Sequence, residues 1–109
     1  GEGRERKLLE IKDVYNFTFE GIGFAVMGAA RSNSDEDYIF SAELYVDGHL
    51  VETASLPTNY VTRRFYLFWK YALANDLHHV EIKIVNPSDK AQVLLDGLAI
   101  YGAEPNNVK

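Results

Sequence analysis

Between residues 15 and 101 the chain repeatedly places an apolar side chain at every second position. That period fits a pleated strand with one buried face, because successive side chains leave a strand on opposite sides. Residues 38–46 show it most cleanly: Tyr38, Phe40, Ala42, Leu44 and Val46 share one face, and Ile39, Ser41, Glu43 and Tyr45 share the other. Asp47 and Gly48 follow directly. An Asp-Gly pair supplies the positive φ angles of a two-residue type I′ turn, so the chain is predicted to reverse into a strand over 49–55. Residues 78–85 repeat the pattern, with Val80, Ile82 and Ile84 opposed to His79, Glu81 and Lys83. The turn Asn86-Pro87-Ser88-Asp89-Lys90 comes next, and its proline cannot extend a central strand. Residues 91–101 form a final strand, with a bulge predicted at Asp96-Gly97.

Other strands are less regular. Tyr15, Phe17 and Phe19 alternate with Asn16, Thr18 and Glu20, and Gly21 and Gly23 bracket a tight turn into a strand over 22–29, whose small residues are expected to sit under large neighbours. Residues 61–71 are aromatic and β-branched but apolar on both faces: Phe65, Leu67, Trp69 and Tyr71 oppose Tyr66 and Phe68. A helix over 66–77 is the competing expectation, since periodicity does not separate the two when both faces are apolar. About seven strands joined by short turns, without a convincing long helix, predict an all-β antiparallel sandwich in preference to a barrel.

The length of 109 residues supports one domain. Residues 1–7 are polar and read as a linker or cloning remnant, 8–103 as the sandwich module and 104–109 as a polar tail. A formal charge of −5 sets up net repulsion against a polyphosphate and argues against nucleic acid. No apolar run reaches the roughly 18 residues of a membrane helix, so membrane insertion is not expected. The absence of cysteine removes disulfides, thiolate zinc sites and thiol nucleophiles.

The order and spacing of several segments add a resemblance. Phe19-Glu20-Gly21-Ile22-Gly23-Phe24 is followed by Ala42-Glu43-Leu44-Tyr45-Val46-Asp47-Gly48. Then come Thr62-Arg63-Arg64 leading to Phe68-Trp69-Lys70-Tyr71, the strand His78-His79-Val80-Glu81-Ile82-Lys83-Ile84, and a closing Leu94-Leu95-Asp96. Together they resemble the galactose-binding-like jelly rolls, and most of all the accessory C-terminal module of bacterial ADP-ribosylglycohydrolase-type and polysaccharide-processing proteins. The resemblance implies a jelly-roll β-sandwich of about seven to eight strands, a non-catalytic accessory role, commonly glycan binding, and an extracytoplasmic setting. Such modules usually carry glycine two residues before the strand-opening histidine. Asp76 stands there in this chain, and a turn with positive φ at Asp76 is the expectation.

Catalytic constellations are hard to assemble. His78 shares the face of Val80 and Ile82 and is expected to be a packed, hydrogen-bonded residue, whereas His79 points away and cannot chelate a metal ion with it. Asp35, Glu36 and Asp37 could offer oxygens to a structural calcium ion, but no spaced glycine or downstream glutamate completes a calcium loop, so a solvated loop is the expected state and no cofactor is predicted. Two carboxylates for glycoside hydrolysis cannot be selected by spacing, and Gly21-Ile22-Gly23 lacks the rest of a dinucleotide fingerprint. Aromatic residues at 13% are the one suggestive excess. Sugars present an apolar face to rings and hydroxyls to amide, carboxylate and guanidinium groups, although most of these rings must serve the core.

If consecutive strands reverse direction, connections alternate between the two ends of the sandwich. The short turns at 20–22, 47–48 and 74–77 then share one end, and the longer loops 30–37, 56–61 and 86–90 share the other. Those loops carry Arg31, Asn33, Asp35, Asp37, Asn59, Tyr60, Asp89 and Lys90, and binding residues concentrate on loops held by a rigid scaffold. The sequence reading is therefore an accessory module that meets carbohydrate weakly at that end. Docking against a parent catalytic domain is the alternative, and an independent small enzyme a distant third.

Overall fold

The computed structural model describes residues 9–59 and 66–102. They form eight strands and no helix: β1 (Leu9–Ile11), β2 (Val14–Gly21), β3 (Gly23–Ser32), β4 (Ile39–Val46), β5 (His49–Pro57), β6 (Tyr66–Lys70), β7 (Asp76–Ile84) and β8 (Ala91–Tyr101). Two four-stranded antiparallel sheets, ordered β1-β8-β3-β6 and β2-β7-β4-β5, face each other. The pairings β1 with β8, β2 with β7, β3 with β6 and β4 with β5 are those of one long folded-over ribbon wrapped into two layers. That is the jelly-roll plan, and the tip of the ribbon is the Asp47-Gly48 turn.

Asp47 (φ 52) and Gly48 (φ 83) are both left-handed, as a type I′ turn requires. The inward residues of β4 behave as the alternation predicts: Phe40, Ala42, Leu44 and Val46 are all buried, and they meet Phe24, Phe68, Val80 and Ile82 in one core cluster. In β8 the predicted bulge is present. Met27 faces Gly97 and Gly28 faces Leu95, which leaves Asp96 as the extra residue. The bulge brings backbone close to Gly28, where an added Cβ would stand 2.1 Å from the Leu94 carbonyl oxygen and 3.1 Å from Leu67 Cδ1. Large neighbours alone do not explain the small residues of β3; close backbone approach does.

Several expectations need correction. β1 is a strand of three residues, too short to show a period, and it pairs with β8. β3 continues to Ser32, which makes Arg31 a strand residue facing Gln92 and not part of a loop. The helix over 66–77 does not form: Tyr66–Lys70 is a strand, and residues 61–65 of the predicted strand lie outside the described residues. Nor is Asp76 left-handed. It opens β7 opposite Gly21, and its Oδ1 accepts the Leu77 N–H at 2.8 Å. The positive φ falls instead on Ala72 (φ 62), in a segment fastened by the Leu73 N–H donating to Ile22 O at 2.8 Å.

Strand β6 departs from alternation for a specific reason. Val26 faces Phe68 while Met27 faces Tyr66, so Leu67 is an extra residue. Such a bulge sets two consecutive side chains on one side of the sheet. Leu67 and Phe68 are accordingly both buried, and Tyr66 and Trp69 both emerge on the outer face.

Candidate functional site

The strand register separates the connections by end. Gly21 faces Asp76 and Val46 faces His49, so the turn after β2, the Asp47-Gly48 turn and the entry to β7 lie together. Ser32 faces Ala91 and Ile39 faces Pro57, so the connections after β3, β5 and β7 lie at the opposite end, as the topological argument expects.

At that second end the loops are joined into one layer. The Asn33 N–H donates to Lys90 O at 2.7 Å, tying the loop after β3 to the one before β8. The Thr58 N–H donates to Tyr38 O at 2.9 Å, and the Tyr38 N–H returns a bond to Thr58 Oγ1 at 2.8 Å, tying the chain after β5 to the entry of β4. Asn86 joins the remaining pieces: its Oδ1 accepts the Ser41 N–H at 2.6 Å, its Nδ2 donates to Ile39 O at 3.1 Å, and its carbonyl accepts the Tyr38 hydroxyl at 2.6 Å. An asparagine side chain carries both an acceptor and donors, so it continues β4 as a short piece of strand would. Sequence reasoning took Asn86 only as a turn residue before proline and did not single out Tyr38 or Thr58. The signal available was the Asn-Pro pair, which names a turn but not the bonds that fix it.

The 33–38 loop is also closed on itself. Ser32 Oγ donates to Glu36 O at 2.6 Å, and Ser34 Oγ accepts the Glu36 N–H at 3.2 Å. Arg31, Asn33, Asp35, Asp37, Asn59 and Asp89 are all solvent-exposed. Asn33 is brought beside Asp89-Lys90, and Asp37-Tyr38 beside Thr58-Asn59; Arg31 projects from β3 next to this layer. Tyr60 lies outside the described residues. Among the described residues no group of three or more histidine, aspartate or glutamate side chains is placed to hold one metal ion, and Asp35, Glu36 and Asp37 do not converge. What this end offers is a fixed backbone bearing exposed acids, amides and a guanidinium: hydrogen-bonding chemistry suited to a polyhydroxylated ligand.

His78 lies at the other end and is 7% exposed. Its Nδ1 donates to Asp47 Oδ2 at 2.6 Å and its Nε2 to Ala74 O at 2.7 Å. Both partners are acceptors, so both ring nitrogens carry protons and the ring is an imidazolium. The Ala74 carbonyl and then the Asp47 carboxylate raise His78 above its ordinary 6.5, against the opposing effect of burial. The bond from His78, together with the His79 N–H at 2.8 Å, holds Asp47 below its ordinary 3.8. An imidazolium with both N–H groups engaged has no lone pair with which to accept a proton and cannot serve as a general base. The expectation of a packed, hydrogen-bonded His78 is met.

A cleft of about 170 Å³ opens between the sheets, lined by Leu9, Tyr15, Val26, Leu95 and Leu98 beside the Asp96-Gly97 bulge. It is smaller than the roughly 300 Å³ at which small-molecule pockets begin.

No family model matches the chain, and no curated protein matches it. Solved structures do. Over 95% of its length the chain resembles 29% of a Corynascus thermopiles (Myceliophthora fergusii) carbohydrate esterase family 2 enzyme plus carbohydrate binding domain, with a TM-score of 0.59 and 15% identity. Over 91% of its length it resembles 32% of a family two carbohydrate esterase from Clostridium thermocellum, an active-site mutant in complex with celluohexase, with a TM-score of 0.60 and 16% identity. The chain therefore spans about a third of the length of either protein, and what it shares with them is the fold.

Proposed function

We propose that this chain is a non-catalytic accessory module of a larger carbohydrate-processing protein, of the bacterial glycohydrolase type that its sequence resembles, and that it binds carbohydrate weakly through Arg31, Asn33, Asp35, Asp37, Asn59, Tyr60 and Asp89. The observation that carries this reading is the joining of three separate connections into one polar layer by Asn33, Tyr38, Thr58 and Asn86. A rigid loop layer holds hydrogen-bonding groups in place without an ordering cost on binding. Supporting it is the likeness in fold to a part of two carbohydrate esterases. A shallow site of this kind gives dissociation constants of about 0.1 to 1 mM.

Nuclear magnetic resonance titration against a glycan panel tests it. Shifts are expected at residues 31–37, Asn59, Tyr60 and Asp89, and Tyr60→Ala is expected to abolish them. A panel that moves no resonance defeats the reading. The alternative, docking against a parent catalytic domain without a ligand of its own, is favoured by the chain's spanning only about a third of its structural neighbours; it would show as broadening of one sheet face when that domain is added.

A further inference from the structure

We propose that the outer face of the β1-β8-β3-β6 sheet is a second carbohydrate surface, on which Tyr66, Trp69, Tyr71 and Tyr101 stack against the pyranose faces of a single extended polysaccharide chain. This rests on the reading that the module's ligands are carbohydrates, and it places a contact on a face that shares only Arg31 with the loop site.

The bulge in β6 is the origin of this surface, because it turns Tyr66 and Trp69 to the same side. Their rings meet edge to face with centroids 6.3 Å apart. Tyr71 and Tyr101 form a second pair with centroids 5.3 Å apart. Donation of its hydroxyl to Tyr101 raises Tyr71 above its ordinary 10.0, and Tyr66 lies near enough to add to the effect. The two pairs are thus one cluster. Its members are 45%, 47%, 50% and 37% exposed in chain order, large fractions for aromatic side chains on the face of a sheet. Beside them Ala25 faces both Trp69 and Ala99, and Gly23 faces Tyr101; Gly23 and Ala25 are buried beneath the rings, and Met27 lies next along the face, over Gly97. The rings therefore stand over the small residues of β3 along one side and one end of this face.

Three features select the ligand. Three of the four rings are tyrosines, which combine an apolar ring with a hydroxyl at the rim, as contact with alternating C–H and O–H groups requires. The face turns polar toward the loop end, where Arg31 faces Gln92 and Gln92 Nε2 donates to Glu10 Oε1 at 3.3 Å. From Gly23 to Arg31 this face of β3 runs about 27 Å at a strand rise of about 3.4 Å per residue, the length of several pyranose units. Interplanar angles of 76° and 57° leave no common plane across the rings. A flat crystalline polysaccharide would touch one ring at a time, whereas a single solvated chain can turn to meet them in succession.

Trp69 is the only tryptophan in the chain, so its fluorescence reports on this face directly. The test runs the full chain on native gels containing soluble β-glucan, xylan or galactomannan, with emission titrations against the same polymers. Expected is retardation by at least one polymer, a saturable shift in Trp69 emission, and retardation about tenfold or more weaker in Trp69→Ala and Tyr101→Ala, both checked for wild-type circular dichroism. Wild-type emission keeps the test informative should either variant misfold. Retardation with unchanged Trp69 emission, lost in an Asn59→Ala, Asp89→Ala double variant, overturns this surface and leaves the loop site standing. No retardation and no emission shift with any polymer overturns both. A concentration-dependent emission shift without polymer, accompanied by doubled mass in sedimentation, overturns it in favour of self-association.

Discussion

Asp47 Oδ2 and His78 Nδ1 lie 2.6 Å apart, so the turning point of the folded ribbon is fastened to β7 by a carboxylate and an imidazolium. Asp47 has three tasks in this arrangement. It takes the first left-handed position of the turn, its N–H donates to His79 O at 2.7 Å, and its carboxylate accepts from both the His78 ring and the His79 N–H.

The pair gives stability a pH window. His78 is raised in the folded chain, so its contribution is complete below about 6.5 and is lost as pH rises through the raised value. Asp47 is lowered, so its contribution is complete above about 3.8 and is lost as pH falls through the lowered value. Urea unfolding is expected to give a maximum between these limits, with a decline on the alkaline side that disappears in His78→Gln. The same alkaline decline in wild type and His78→Gln would show that another group is responsible.

The register of β4 predicts unequal costs at neighbouring positions. Leu44 is fully buried, so Leu44→Ala should cost about 2 to 5 kcal/mol. Glu43 is on the outer face and accepts the Tyr45 hydroxyl at 2.8 Å, and Glu43→Ala should cost under about 1 kcal/mol. Chemical denaturation of the two variants is the check, and equal costs would contradict the register.

The two glycines around the β8 bulge should also differ. Gly28→Ala forces a methyl into the Leu94 carbonyl and should cost more than about 2 kcal/mol. Gly97→Ala meets only the end of the Met27 side chain, at 3.3 Å from Cε, which can move; a cost under about 1 kcal/mol is expected. Thermal unfolding of both variants distinguishes them.

Backbone strain sits at Ala72, which reverses an inference drawn from Asp76. Ala72→Gly should be neutral or stabilising by up to about 1 kcal/mol, since release of left-handed strain opposes the added freedom of the unfolded chain. Asp76→Gly loses a strand side chain and its bond to the Leu77 N–H, and should destabilise by about 0.5 to 1 kcal/mol. A stabilising Asp76→Gly would restore the turn that the sequence suggested.

What could be read in advance was local. Alternation over residues 38–46 and the Asp47-Gly48 turn defined a hairpin without knowledge of the rest of the chain, and Asp96-Gly97 marked the bulge of β8. Segregation of the loops to two ends needed only the reversal of successive strands. Features that depend on distant partners were not legible. The bond between Asp47 and His78 spans 31 residues, and that between Asn86 and Ser41 spans 45. β6 misled for a different reason: its bulge carries no glycine, so strict alternation set Trp69 with Leu67 and opposite Tyr66, the reverse of the arrangement found. Of the predicted site, the described residues are exposed and gathered at one end, Arg31 lies on a strand and not on a loop, and Tyr60 lies outside the described residues.

The extra residue in β6 acts on side chains as a frame shift acts on codons. Five residues supply two core anchors and two surface rings without interleaving them, so the inner and outer faces can vary independently at this strand. Substitution at Leu67 can be tuned by size, whereas its deletion would restore plain alternation, leaving Tyr66 and Trp69 outward and removing one of the two core anchors. A family of such modules diverging in what it touches would therefore exchange the residues of β6 freely while keeping their number.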